Sequence, residues 1–156
     1  MVRSAFFVWC VTAFLAISVW AIPASEAAPP ADTIKSVVDY YYEGGDEGPV
    51  LVESKLCTDI QDLECVGEID PKSVGVGDTV MVWMQFFVPK GVTAADIMVE
   101  YAHEGVPRWL KAHKVESSIR YRVVNRYQLN KAGKWAIVIK KGTTPLERFD
   151  IEAVER

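Results

Sequence analysis

Two groups of residues have types and spacings that could do chemistry. Cys57 and Cys65 enclose the seven residues TDIQDLE, and Arg120, Arg122 and Arg126 recur at even spacing within SIRYRVVNRYQL. A metal clamp favours Cys-x-x-Cys spacing and two further ligands. A thioredoxin-like redox pair also has two intervening residues. The observed spacing fits neither, so in an oxidising compartment the pair reads as a structural disulfide across a short loop. The arginines fall on one face of a strand. Guanidinium forks bind carboxylate and phosphate bidentately, so such a row could hold an acidic glycan, a lipid headgroup or an acidic partner. The competing reading is cross-strand pairing, with Glu100 and with the charged face Arg148, Asp150, Glu152 of the last strand as the available charges.

Other candidates are weaker. His103 and His113 are the only histidines. With Glu104 or with Met81, Met84 and Met98 they would offer soft ligands, but no recognised cluster spacing joins them. Core methionines and half-buried histidines are the simpler reading, and neither metal nor cofactor is expected. Ser117 and Ser118 lack a nucleophile-elbow context, and no Gly-rich loop precedes a helix. Asp59, Asp62 and Glu64 read as a solvated loop rather than an acid–base pair. No enzyme is expected. Trp83 and Trp135 belong in a core. Trp109, which follows a Pro-containing turn, joins the arginines as a candidate partner-binding residue. Exposed together with Tyr40, Tyr41 and Tyr42, it would suit sugar stacking or a protein interface.

The elements that must position these residues begin with a compartment signal. Arg3 precedes an uncharged apolar run from Ala5 to Ala21, followed by Pro23 and a small-residue stretch ending at Ala27. This is the layout of a secretory signal peptide cut between Ala27 and Ala28, giving an exported chain with no stable membrane anchor after cleavage. The cut removes one Arg and one Glu, so the net charge of −4 is unchanged. A mildly acidic chain is a poor nucleic-acid binder. Residues 28–48 read as a leader with a short helix or strand. Thr33–Glu43 leans helical, because Ile34, Val37, Val38 and Tyr41 share a helical face and Asp32 could cap it.

From residue 49 to 156 strands alternate with turns, as one domain. The expected strands are 49–57, 64–70, 79–88, 96–104, 109–116, 118–129, 134–141 and 146–154, with PKG and GTTP among the breaks. No long amphipathic helix intervenes. The pattern predicts an all-β protein, an antiparallel immunoglobulin-like β-sandwich. Two strands stand out. TVMVWMQFFV is apolar on both faces, so both are covered or the outer one meets a partner. In SIRYRVVNRYQL, Ile119, Tyr121, Val123, Tyr127 and Leu129 share one face, and Arg120, Arg122, Arg126 and Gln128 share the other.

The order VMVWMQFFVP, VEYAHEGVPRW, SSIRYRVVNRYQL, AGKWAIVI, LERFDIEAV resembles the DUF2914 type of bacterial exported or membrane-linked domain over roughly residues 74–154. Those domains pair a His-containing strand with an Arg-rich strand ahead of a Gly-x-Trp strand. The resemblance implies a β-sandwich, a periplasmic setting and no assigned activity. Together these readings predict a non-enzymatic binding or adaptor module of the cell envelope, engaging a protein partner through a sheet face. The alternative is a carbohydrate or anionic-ligand binder using the Arg120, Arg122, Arg126 row, with an anionic glycan as its partner.

Overall fold

The structure, a computed structural model, describes residues 30–44 and 48–155. The signal segment and its cut fall outside them. One helix, α1 (Ala31–Glu43), is followed by β1 (Val50–Gln61), β2 (Glu64–Glu68), β3 (Thr79–His103), β4 (Val106–Gln128), β5 (Gly133–Lys141) and β6 (Thr144–Ala153). Asp32 sits inside the first turn of α1 and does not cap it; the chain enters the helix through Pro30. An acid in that turn still faces the positive end of the helix dipole.

All strand pairings among the named strands are antiparallel, and they build two layers that share the long β3–β4 hairpin. The first layer has the order β2-β1-β3-β4 and uses Thr79–Val88 of β3 with Ser118–Gln128 of β4. The second has the order β4-β3-β5-β6 and uses Ile97–His103 of β3 with Val106–His113 of β4. Four of the strands expected from the sequence are therefore two continuous ones. The expected break at Pro89–Gly91 is a bend, where pairing persists through register shifts between Phe86 and Ile97. Ser117 Oγ donates to Val92 O at 3.2 Å across this corner. Bulges of this kind let a strand turn from one layer into the next without ending.

The inner faces meet in one core. Val80, Val82, Met84, Phe86 and Val88 come from the first layer, and Ile97, Val99, Tyr101, Ile137, Ile139 and Ile151 from the second. Tyr127 joins the layers, with its ring 4.5 Å from that of Tyr101 and 5.6 Å from that of Trp135. Burying each large apolar side chain contributes about 1.5–3 kcal/mol. An exposed ion pair contributes about 0–1 kcal/mol. The core therefore decides the fold, and the surface charges are free for other work. A seam closes one side, where Val154 N donates to Val74 O at 3.0 Å and Gly77 N to Leu129 O at 2.7 Å.

The β3–β4 turn is Glu104–Gly105, with φ of 49° and 75°. Two successive left-handed residues suit a two-residue hairpin. Gly133 packs against this turn, and a Cβ there would collide with the Glu104 carboxylate. That carboxylate accepts from Lys134 N at 2.7 Å, and Trp135 Nε1 donates to Lys131 O at 2.9 Å. The Gly-x-Trp sequence thus fixes the far end of the second layer.

Candidate functional site

The outer face of the first layer brings together the arginine row, the disulfide and α1. It starts from the alternation in β3. Val80 to Val88 face the core at even numbers, so Met81, Trp83, Gln85 and Phe87 face outward. The register places Arg126 beside Met81, Val124 beside Trp83 and Arg122 beside Gln85 on this same face.

The first cover over this face is the β1–β2 hairpin. In a flat sheet β2 and β4 would lie three strand spacings apart, about 14 Å. Instead the Glu64 carboxylate reaches β4, pairing with Arg122 and, at 3.0 Å, with Arg120. Trp83 Nε1 donates to Leu63 O at 2.7 Å, and Trp83 is almost fully buried. The hairpin tip therefore folds over β3. Cys57 pairs with Glu68 and Cys65 with Ile60, so the two cysteines are offset by three positions along the ladder. A flat ladder would separate them by about 10 Å along the strand alone. Their Cα atoms are 5.6 Å apart and joined by a disulfide. The bond holds the hairpin in its bent form. At the tip, Asp62 and Leu63 have φ of 50° and 62°. Asp tolerates that conformation, but a leucine there is strained.

The second cover is α1. Tyr40 and Tyr41 lay their rings 5.4 and 5.9 Å from that of Phe87, and Tyr40 Oη donates to Gly48 O at 2.9 Å. Trp83 and Phe87, on the outer face of Thr79–Val88, are thus each packed against from within the chain. Between helix and sheet a groove of about 480 Å³ stays open. Val37, Tyr40, Val50, Val52, Phe87 and Ile119 line it. Ile119 is 65% exposed, which corrects its expected placement on the face of Val123 and Leu129, both buried. Phe86 pairs with Tyr121 but Val88 with Ser118, so Ile119 and Arg120 together oppose Phe87 and both turn outward.

The arginine row divides. Arg120 and Arg122 share the single Oε1 of Glu64, and Arg120 Nε also donates to Gln85 Oε1 at 2.7 Å. Arg122 is mostly buried and its Nε has no partner. Arg126 is exposed and makes no ion pair among the described residues. Pairing is therefore real for two of the three, but not with the acids expected. Glu100 pairs with Lys140 at 2.6 Å and Arg148 with Asp150 at 2.7 Å. These belong to the second layer, whose outer face points away from the arginines. Glu64, read from the sequence as part of a solvated loop, is the missing acid. No turn motif announces the Asp62–Leu63 reversal, so nothing in the sequence aims that side chain across two strands.

Trp109 is not part of this face. Its ring lies half-buried on the core side, 5.4 Å from that of Tyr101 and 5.3 Å from that of Tyr127. Tyr40 to Tyr42 do not meet it. His103 Nε2 donates to Ala132 O at 2.8 Å, and its ring packs 4.8 Å from Trp135. His113 buries Nε2 without a partner, and desolvation, helped by Lys111, holds its pKa below the ordinary value. Burial pushes the Tyr101 hydroxyl far up. Among the described residues no three acidic, Cys or His side chains gather as a metal-binding group. No described helix is long and apolar enough to cross a membrane.

No protein-family model matches the chain, and no curated protein matches it in sequence. The chain is similar in structure to an immunoglobulin-like protein from Pseudomonas aeruginosa, with a TM-score of 0.51 and 11% sequence identity. The match covers 67% of this chain and 95% of that one. At that identity the likeness shows the fold alone: the sandwich is immunoglobulin-like.

Proposed function

We propose that the protein is an exported, non-enzymatic binding module of the cell envelope, and that it binds through the outer face of the first layer beside α1. The observation that carries this is the open apolar groove over β1 and β3. Its rim residues Val52 and Ile119 are 56% and 65% exposed although a fold of this size has a core to hide them in. Exposed contiguous apolar surface of this kind marks a site of interaction. Export is supported by the disulfide, which belongs to oxidising compartments, and by the signal-like start of the chain. A periplasmic setting and the resemblance to DUF2914-type domains are part of the same proposal. An envelope protein and an anionic ligand are the two partner classes in view. The cationic excess at Arg120 and Arg122 favours the ligand, since two guanidinium groups share one carboxylate.

The test is capture from the native cell. Wild type and Ile119→Glu, both carrying a C-terminal tag, are crosslinked gently and recovered with whatever they hold. Proteins are read by mass spectrometry, and small molecules by solvent extraction. Envelope material bound by wild type and absent from a still-folded Ile119→Glu supports the reading. The same recovery from both variants would remove this face from the function.

A further inference from the structure

The groove and the arginine pair form one continuous surface. Gln85 lines the groove and also accepts from Arg120 Nε at 2.7 Å. Ile119 lines the groove and is the chain neighbour of Arg120; the bulge turns both outward. An apolar trough thus ends at an arginine whose side chain is 54% exposed and whose guanidinium is only partly committed to its own partners. Glu64 supplies one negative charge to two arginines, leaving one positive charge in excess at that end. The less exposed Arg122 fixes the position of Glu64, so the excess falls on the more exposed member, Arg120. Of the helix acids, Asp39 is occupied by Lys35 at 2.6 Å.

From this juxtaposition we infer that the groove binds a monomeric amphiphile with one alkyl chain and an anionic head. The chain lies between Val37 of α1 and Val50, Val52 and Ile119 of the sheet, and the carboxylate or phosphate head meets Arg120. A charge-assisted, fork-shaped contact fixes the head, while burial of the chain supplies the non-directional attraction. The inference rests on the binding-module reading and names the ligand class of that same face. A bilayer is a poorer occupant, because α1 carries Asp32, Asp39 and Glu43 against the single Lys35. That acidic helix would repel an anionic membrane surface.

The probes are sodium dodecanoate and dodecanol, each titrated below its aggregation limit into the full chain purified from its source cells. Binding is followed by calorimetry. Saturable one-to-one binding of dodecanoate is expected, with dodecanol about tenfold weaker. In Arg120→Gln the two probes should bind alike. In Ile119→Glu and, separately, Val52→Glu, both should be lost with the melting temperature kept, since both residues are exposed. Absence of dodecanoate binding, or binding unchanged in Ile119→Glu and Val52→Glu, overturns the inference. Equal affinity for both probes in wild type overturns the role of Arg120. Flotation with phosphatidylglycerol vesicles separates the sources: protein that floats with vesicles yet binds no monomer has a bilayer as its ligand, and the inference fails. If dodecanoate fails while native capture still depends on Ile119, only the ligand class is wrong. If both fail, the face itself is wrong.

Discussion

His113 shows how little a single polar residue is free to do once its environment is fixed. It pairs with Ile97 beside the bend of β3, where its Nε2 is buried with no acceptor in reach. A proton added there would bury an unpartnered positive N–H, and Lys111 adds repulsion, so the folded pKa lies below 6.5. The unfolded chain binds that proton more readily. Stability from this residue is therefore complete above about pH 6.5 and declines as pH falls through the lowered folded value. His113→Gln cannot take the proton. Thermal melts from pH 7.5 down to pH 5 should show a steeper loss in wild type than in His113→Gln. Parallel curves would remove His113 as the titrating group. Glu64 makes the complementary point: its type announced an acid, but only its position in the folded hairpin made it the counter-ion of two arginines.

The β1–β2 hairpin is the element on which the candidate site depends. Its disulfide closes a short loop, which stabilises the fold by about 2–3 kcal/mol in the chain-entropy account. The consequence is local as well as global, because the bent tip covers Trp83 and delivers Glu64 to β4. In Cys57→Ala with Cys65→Ala the Trp83 indole N–H should lose its protection from hydrogen exchange, while Trp135 Nε1, bonded to Lys131 O in the other layer, keeps its own. Loss at both would mean global unfolding rather than release of the hairpin. The disulfide was legible because cysteine spacing and compartment constrain it strongly. The double-faced apolar strand was legible too, and both of its covers lie within the chain. What covers it was not legible. A strained Asp62–Leu63 turn has no sequence signature, and the aromatic run of α1 fits helix and strand alike until Phe87 receives it. The bulge at Ile119 was hidden for a similar reason: strict alternation is the only rule a sequence offers, and one extra residue reverses it.

At the scale of the whole molecule the two layers share one long edge. Among the described residues β4 pairs only with β3, so its other side runs without a strand partner through both layers. An open edge of this length is a template for pairing with a second chain. The sequence of β4 answers that hazard with Arg108, Lys111, Lys114, Arg120, Arg122 and Arg126 against the single acid Glu116, in a chain whose net charge is −4. Two copies approaching edge to edge along β4 would bring like charges together over its whole length. This accounts for the basic residues outside the candidate site, where neither Lys111 nor Lys114 touches the groove. Positive charge on this strand then has two expected uses: Arg120 and Arg122 hold Glu64, and the charges of the second-layer half would repel a second copy. Replacing Arg108, Lys111 and Lys114 with threonine keeps strand propensity and removes the repulsion. Light scattering coupled to size exclusion should then show concentration-dependent association that wild type lacks at the same ionic strength. High salt should narrow the difference by screening the wild-type charges. A triple variant as monomeric as wild type at every concentration would mean that the bend of β4, and not its charge, protects the edge.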